Sequence, residues 1–221
     1  MKKTKHLLIV TLLGMVTWSC STIKLIDSWK SEDFQAVKSK RILVAAKSPD
    51  PSIQKSYEKA IVSKLQGQHI DAIEMHKVFP NIKDKEQRTA EEVEQILRMF
   101  KEKKIEGLLI TSLKQTIETN SSSKPERGKI QIDNKRKGSF TIEDYDNLKD
   151  LPDLDKLDFD TSMDSKVTST TYILESTTYD LALEKDRQLV NVCLLDVVDP
   201  DAADQVLNAF AKVISDQFKN N

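Results

Sequence analysis

Arg41-Ile42-Leu43-Val44-Ala45-Ala46 is an unbroken apolar run behind one arginine, and Ser48-Pro49-Asp50-Pro51-Ser52 stops it abruptly. A half-exposed strand alternates apolar and polar residues; a continuous run is what a strand covered on both faces requires. Asp50 then reads as a helix N-cap with Pro51 at the first helical position. Ile53, Tyr57, Ala60, Ile61 and Leu65 recur on one helical face until Gly67 closes the pattern. A doubly buried strand leading into an amphipathic helix is the start of a β-α-β unit, so the fold class is α/β.

Working outward, Ile70 to Met75 is a short second strand. Thr89-Ala90-Glu91-Glu92 is a capping box, and Val93, Ile96, Leu97 and Phe100 make the apolar stripe of a second helix. Lys101, Lys103 and Lys104 suit its C-terminal dipole. Gly107 to Leu113, extending to Thr119, is a third strand, which implies a parallel core with right-handed crossovers. Val167 to Leu183 and Arg187 to Val198 then form an antiparallel hairpin about Glu184-Lys185-Asp186. A last helix follows Asp199-Pro200, with Ala203, Val206, Leu207, Phe210, Val213, Ile214 and Phe218 on its apolar side. The expected architecture is a two-layer or three-layer-like sandwich: a mixed five-stranded sheet in the order β-α-β-α-β-β-β-α, with three amphipathic helices.

The 221 residues fit one such domain plus appendages. With 38% hydrophobic and 31% charged residues, the chain supports a packed core and excludes collagen-like and multi-span membrane proteins. Two cysteines exclude a disulfide-stapled mini-protein. The formal net charge of −1 offers no basic stripe for nucleic acid.

Residues 1–19 carry Lys2, Lys3 and Lys5, no acid, and the apolar stretch Leu7 to Val16. That stretch is shorter than the roughly 20 residues that span a bilayer, and the whole reads as a signal peptide. Thr17-Trp18-Ser19-Cys20-Ser21 resembles a relaxed bacterial lipobox, in which Cys20 takes lipid and becomes the first mature residue. Acyl chains such as palmitate contribute about 0.8 kcal/mol per buried methylene, so several chains anchor stably. Removing the signal leaves a net charge of −4. No Asp follows Cys20, which by the same resemblance favours the outer membrane, facing the periplasm. Residues 20–39 are expected to be a lipidated tether entering a strand or turn, and 40–221 a single domain.

A charged insertion at 120–166 interrupts that domain. Its first part, 124–137, holds six basic and two acidic residues; 143–164 holds nine acidic and two basic. Ile130, Ile132, Phe140 and Ile142 alternate around Asn134 to Gly138, as in a small hairpin, and Tyr145 to Ser165 reads as a loop. Lys135, Arg136 and Lys137 at the hairpin tip are candidate partner or lipid-headgroup contacts. Asp150, Asp153, Asp155, Asp158 and Asp160 lack the glycine that a calcium loop requires at its turn.

Chemistry-bearing motifs are sparse. His69 and His76 follow no zinc spacing, and the glycines make neither a P-loop nor a dinucleotide fingerprint. No catalytic residues, metal ligands or cofactor follow from the sequence. Cys193, between Val192 and Leu194, reads as a buried small hydrophobe.

Cys20-Ser21-Thr22-Ile23, Asp27-Ser28-Trp29-Lys30 and Lys40-Arg41-Ile42-Leu43-Val44, with Thr177-Thr178-Tyr179-Asp180 and Asp199-Pro200 later, resemble a family of small bacterial envelope lipoproteins described only as a domain of unknown function. The chain departs from that family at Val190-Asn191-Val192, where a tryptophan is common, and in its charged insertion. The resemblance implies a lipid-anchored periplasmic domain with three helices on a mixed sheet, and it carries no catalytic residues. Trp29 is expected to bury its ring and fix the tether; its rival role is partner contact near the membrane. The leading expectation is a non-enzymatic binding or assembly module, held to the membrane at Cys20 with a protein partner in the envelope. Its rivals are an oligomeric envelope or secretion component using the 129–142 hairpin, and a hydrolase whose pocket would gather His69 or His76 with a serine and a carboxylate.

Overall fold

The computed structural model describes residues 23–80, 88–120, 132, 138–152, 167–198 and 203–219. Strand β1 (Ile23–Lys30) comes first, then a short helix α1 (Phe34–Val37) and β2 (Arg41–Ala46). Helix α2 (Pro51–Gln66), β3 (Ala72–Glu74), α3 (Met75–Val78) and α4 (Ala90–Glu102) follow. Strand β4 (Ile105–Asn120), α5 (Ile142–Asp146), β5 (Val167–Asp180), β6 (Leu189–Val198) and α6 (Ala203–Gln217) complete the described chain.

The strands make one open mixed sheet in the order β1-β6-β5-β4-β2-β3. Strands β3, β2 and β4 are parallel, and β4, β5, β6 and β1 are successively antiparallel. The sheet thus has six strands where five were expected. The additional one is β1, which pairs with β6 in a register broken by a bulge between Leu25 and Asp27. Residues 23–30 of the expected tether therefore belong to the sheet.

From β2 the chain crosses one way to β3, then back over β2 to β4. Right-handed crossovers in opposite directions put their helices on opposite faces. The core accordingly has two parts. Ile42, Val44 and Ala46 pack on one side with Tyr57, Ile61 and Leu65 of α2 and Val206, Phe210 and Ile214 of α6. Leu43 and Ala45 pack on the other with Met75, Phe79, Ile96 and Phe100. This two-sided burial explains the apolar run in β2. Tyr57 meets Phe210 edge-on at 5.5 Å, and Phe79 tilts against Phe100 at 5.6 Å, within the range aromatic pairs prefer.

The helix signals at Asp50 and Thr89 hold, and the expected helix start at Asp199-Pro200 lies outside the described residues. Asp50 accepts a hydrogen bond from Ser52 N at 2.8 Å, with Pro51 in the first turn. Thr89 and Glu92 form the reciprocal capping box. Helix α2 ends at Gly67, but Gly67 stays right-handed, and His69 makes the turn at φ 63°.

The insertion differs from expectation where it is described. Phe140 and Ile142 are not strand neighbours: Thr141 accepts from Asp144 N at 3.0 Å and caps α5, which starts at Ile142. Tyr145 and Leu151 are buried rather than looped out, and Lys149 bridges to Leu113 of β4. Thr-x-x-Asp is an N-cap signal that the apolar alternation masked. Arg88 and Asp146, both buried, join in a two-pronged ion pair at 2.7 Å that fastens α5 beside the start of α4.

Candidate functional site

Three places combine exposure, charge and shape. The first is β1, an edge strand with no further strand beyond it among the described residues. Ile23 is buried, but Leu25, Ile26 and Trp29 are 42%, 40% and 43% exposed. The expected burial of Trp29 is therefore corrected. The register sets Trp29 opposite Val192, on the outermost strand of the sheet. Asn191 Nδ2 donates to the Trp29 carbonyl at 2.9 Å, so the strand is fixed through its backbone rather than through the indole. Lys30 reaches back to donate to Gln217 O at 2.8 Å, stapling β1 to α6.

The second place lies at the carboxyl ends of the parallel strands. Strand β2 exits to α2 on one face, and β3 exits toward α3 and α4 on the other. Diverging exits of adjacent parallel strands open the crevice where α/β sheets commonly bind ligands. Here Glu58 of α2 fills it. Its Oε1 accepts from Ala46 N at 3.3 Å and Gln54 Nε2 at 2.9 Å. Its Oε2 accepts from His76 N at 2.9 Å and lies 2.6 Å from His76 Nδ1. Burial pushes the Glu58 carboxyl above its usual range, and the hydrogen bonds from His76, Gln54 and Ala46 oppose that rise. The contact between Nδ1 and Oε2 fixes the orientation of the imidazole. These contacts of Glu58 join the end of β2, α2 and the start of α3.

The third place is a cleft of about 250 Å³ against β4 and β5, lined by Phe140, Tyr145, Glu175, Thr177 and Tyr179 among others. Phe140 and Tyr179 tilt together at 5.5 Å, and Lys47 Nζ lies 5.4 Å from the Tyr145 ring. Glu175 is buried, with Lys114 Nζ 3.3 Å away.

Of the residues singled out from sequence, Trp29 is on β1, whereas Cys20, Lys135, Arg136 and Lys137 lie outside the described residues. Cys193 is buried, and burial pushes its thiol up to about 12. Among the described residues no cluster of three His, Cys, Asp or Glu side chains forms a metal site, and no helix is long and apolar enough to cross a membrane. The sequence reading missed Glu58. Its signal was available: it lies three residues before Ile61 and seven before Leu65, a lone carboxylate on the apolar face of α2.

No family model matches the sequence, and no curated protein matches it. Among solved structures, the chain is similar to PelC from Paraburkholderia phytofirmans, determined as a dodecamer in two crystal forms. One, a point variant, is 8% identical, with 87% of this chain and 94% of that chain covered at a TM-score of 0.41. The other is also 8% identical, with 90% and 98% covered at the same TM-score.

Proposed function

We propose that this protein is a lipid-anchored bacterial envelope lipoprotein, attached through Cys20 to the periplasmic face of the outer membrane, whose α/β domain is a non-catalytic binding or assembly module. The observation that carries this reading is the position of β1. The strand begins at Ile23, three residues after Cys20, so a lipid on that cysteine holds the sheet at the membrane without an intervening spacer. The sequence supports it further: a basic start, a short apolar stretch and a lipobox-like Thr17 to Ser21 precede the strand. Asp27-Ser28-Trp29-Lys30, part of the resemblance to envelope lipoproteins, is the second half of β1.

The module is read as binding rather than catalytic because the Glu58–His76 pair is committed to structure. Glu58 uses both oxygens on backbone and side-chain donors. The cleft between α5 and β5 is the surface on which a partner would be recognised, through Phe140, Tyr145 and Tyr179.

Metabolic labelling with an alkyne fatty acid tests the anchor. The wild-type chain is expected to take label and to fractionate with outer membranes, and Cys20→Ser to lose both. An unlabelled wild type, or equal labelling of Cys20→Ser, overturns the reading.

A further inference from the structure

We infer that the cleft between α5 and β5 receives an arginine side chain from the protein partner; this deepens the reading of that cleft as the recognition surface and rests on it, but not on the anchor at Cys20. Glu175, Thr177 and Tyr179 alternate along β5 and so share one face of the sheet, where the register sets Ile110 of β4 opposite Thr177. The 139–148 segment completes the lining with Phe140, Asp144 and Tyr145 among others.

The lining states the chemistry of what enters. Phe140, Tyr145 and Tyr179 supply three aromatic rings, and the charged residues among the described lining, Asp144 and Glu175, are both carboxylates. Glu175 is buried, while Asp144 is exposed. Aromatic faces attract a cation through the ring quadrupole, and a carboxylate beside them adds charge-assisted hydrogen bonds. Cations of the chain itself already respond to the same groups: Lys47 Nζ lies 5.4 Å from the Tyr145 ring, and Lys114 Nζ 3.3 Å from Glu175 Oε2. Neither lysine is among the residues lining the cleft, and a close charge-assisted bond is shorter, at about 2.7–2.9 Å. Asp144 accepts from Thr141 Oγ1 at 2.6 Å, a neutral donor that does not cancel its charge.

Size and shape select the occupant. Pockets for drug-sized molecules run from roughly 300 to 1,000 Å³, so a cleft of about 250 Å³ suits a single side chain. Arginine fits this lining better than lysine, because its planar guanidinium stacks on rings and offers a fork of N–H donors to carboxylates. Its methylene stem covers apolar surface such as Ile110.

The protein is purified in detergent from cells grown on 15N, and its amide spectrum is titrated with Nα-acetylarginine methylamide and with the citrulline analogue, which keeps the shape and removes the charge. The arginine probe is expected to shift the amides of Phe140, Tyr145, Thr177 and Tyr179, and the citrulline probe to bind about tenfold more weakly. Glu175→Gln and Asp144→Asn should each weaken the arginine probe severalfold and leave the citrulline probe unchanged. Asp144→Asn keeps an acceptor for Thr141 and carries the test if Glu175→Gln does not fold. Equal binding of the two probes overturns the arginine site and leaves the cleft standing as a recognition surface, whereas no shift with either overturns both. Unchanged arginine binding in the variants places the probe elsewhere and also overturns the site. Shifts of the cleft amides that grow with protein concentration alone identify a second copy of the chain as the occupant, and overturn it too.

Discussion

Lys40 Nζ lies 2.6 and 2.7 Å from the two carboxylate oxygens of Asp180, bridging 140 residues of sequence. The pair ties the entrance of β2 to the end of β5, and Asp180 also accepts from Ala182 N at 3.1 Å. Asp180 is fully buried, and Lys40 keeps 19% of its side chain exposed. Removing one partner of a buried pair strands the other charge, at about 3–5 kcal/mol. Lys40→Met is therefore expected to lower the urea midpoint sharply. Lys40→Met/Asp180→Asn keeps an acceptor for Ala182 and removes the stranded charge, so it should recover much of that loss. A double variant no more stable than Lys40→Met contradicts this account.

Glu58 makes stability depend on pH in a stated direction. Burial raises its carboxyl in the folded state above the ordinary value it has when unfolded. The folded state then binds the proton more tightly, so this group's contribution is fully present below the unfolded value and is lost as pH rises through the folded one. Glu58→Gln does not titrate. The stability of wild type relative to Glu58→Gln should accordingly be greatest in acid and shrink as pH rises from about 4.5. Urea unfolding of both proteins across that range checks it, and a difference that grows with pH has the wrong sign.

Much of this fold is legible because the sequence states it twice. The apolar run Ile42 to Ala46 and the caps at Asp50 and Thr89 specify β2, α2 and α4 by pattern and by stop signal together. Strand β1 was less legible, since an edge strand has one paired side and Lys24, Leu25, Ile26 and Asp27 straddle a bulge that breaks alternation. Phe140 and Ile142 misled for a related reason: two apolar residues in alternation fit a strand, yet the Thr141 cap decided the local structure. The Glu58–His76 and Lys40–Asp180 pairs were invisible because each depends on which strands become neighbours. A charge on an apolar helical face hints that a partner exists without saying where.

Cys193 should behave as core. Its thiol is pushed up to about 12 from 9.0, first by burial, against a hydrogen bond involving Ser176. That rise leaves roughly a thousandfold less thiolate near neutral pH than an exposed cysteine would have. In Cys20→Ser, where Cys193 is the only thiol, iodoacetamide labelling is expected at least that much slower in the folded protein than in urea. Rapid labelling without denaturant would show that β6 opens where the fold says it is sealed.

Gly138 is required by a close approach of backbone to backbone. The 138–140 segment docks on the start of β6: Leu189 N donates to Gly138 O at 2.7 Å, and Phe140 N donates to Gln188 Oε1 at 3.1 Å. A Cβ on Gly138 would fall inside the Asp186 carbonyl, and a main-chain atom cannot rotate away as a side chain can. Gly138→Ala must therefore lift the segment, taking Phe140 off Tyr179 and opening the wall of the cleft. A cost of about 1–3 kcal/mol is expected from forced overpacking, or very roughly 2–12 °C in Tm for a chain of this size. Gly67 supplies the control. It sits at φ −62°, and an added Cβ would lie 3.4 Å from the Lys64 and Ser63 carbonyl oxygens, close to ordinary contact. Gly67→Ala should be neutral or gain up to about 1 kcal/mol by restricting the unfolded chain. Hydrogen exchange separates the two further: the Leu189 amide should lose protection in Gly138→Ala and keep it in Gly67→Ala. Equal melting temperatures for both variants, with Leu189 protected in each, would mean that the 138–140 segment does not hold the cleft closed.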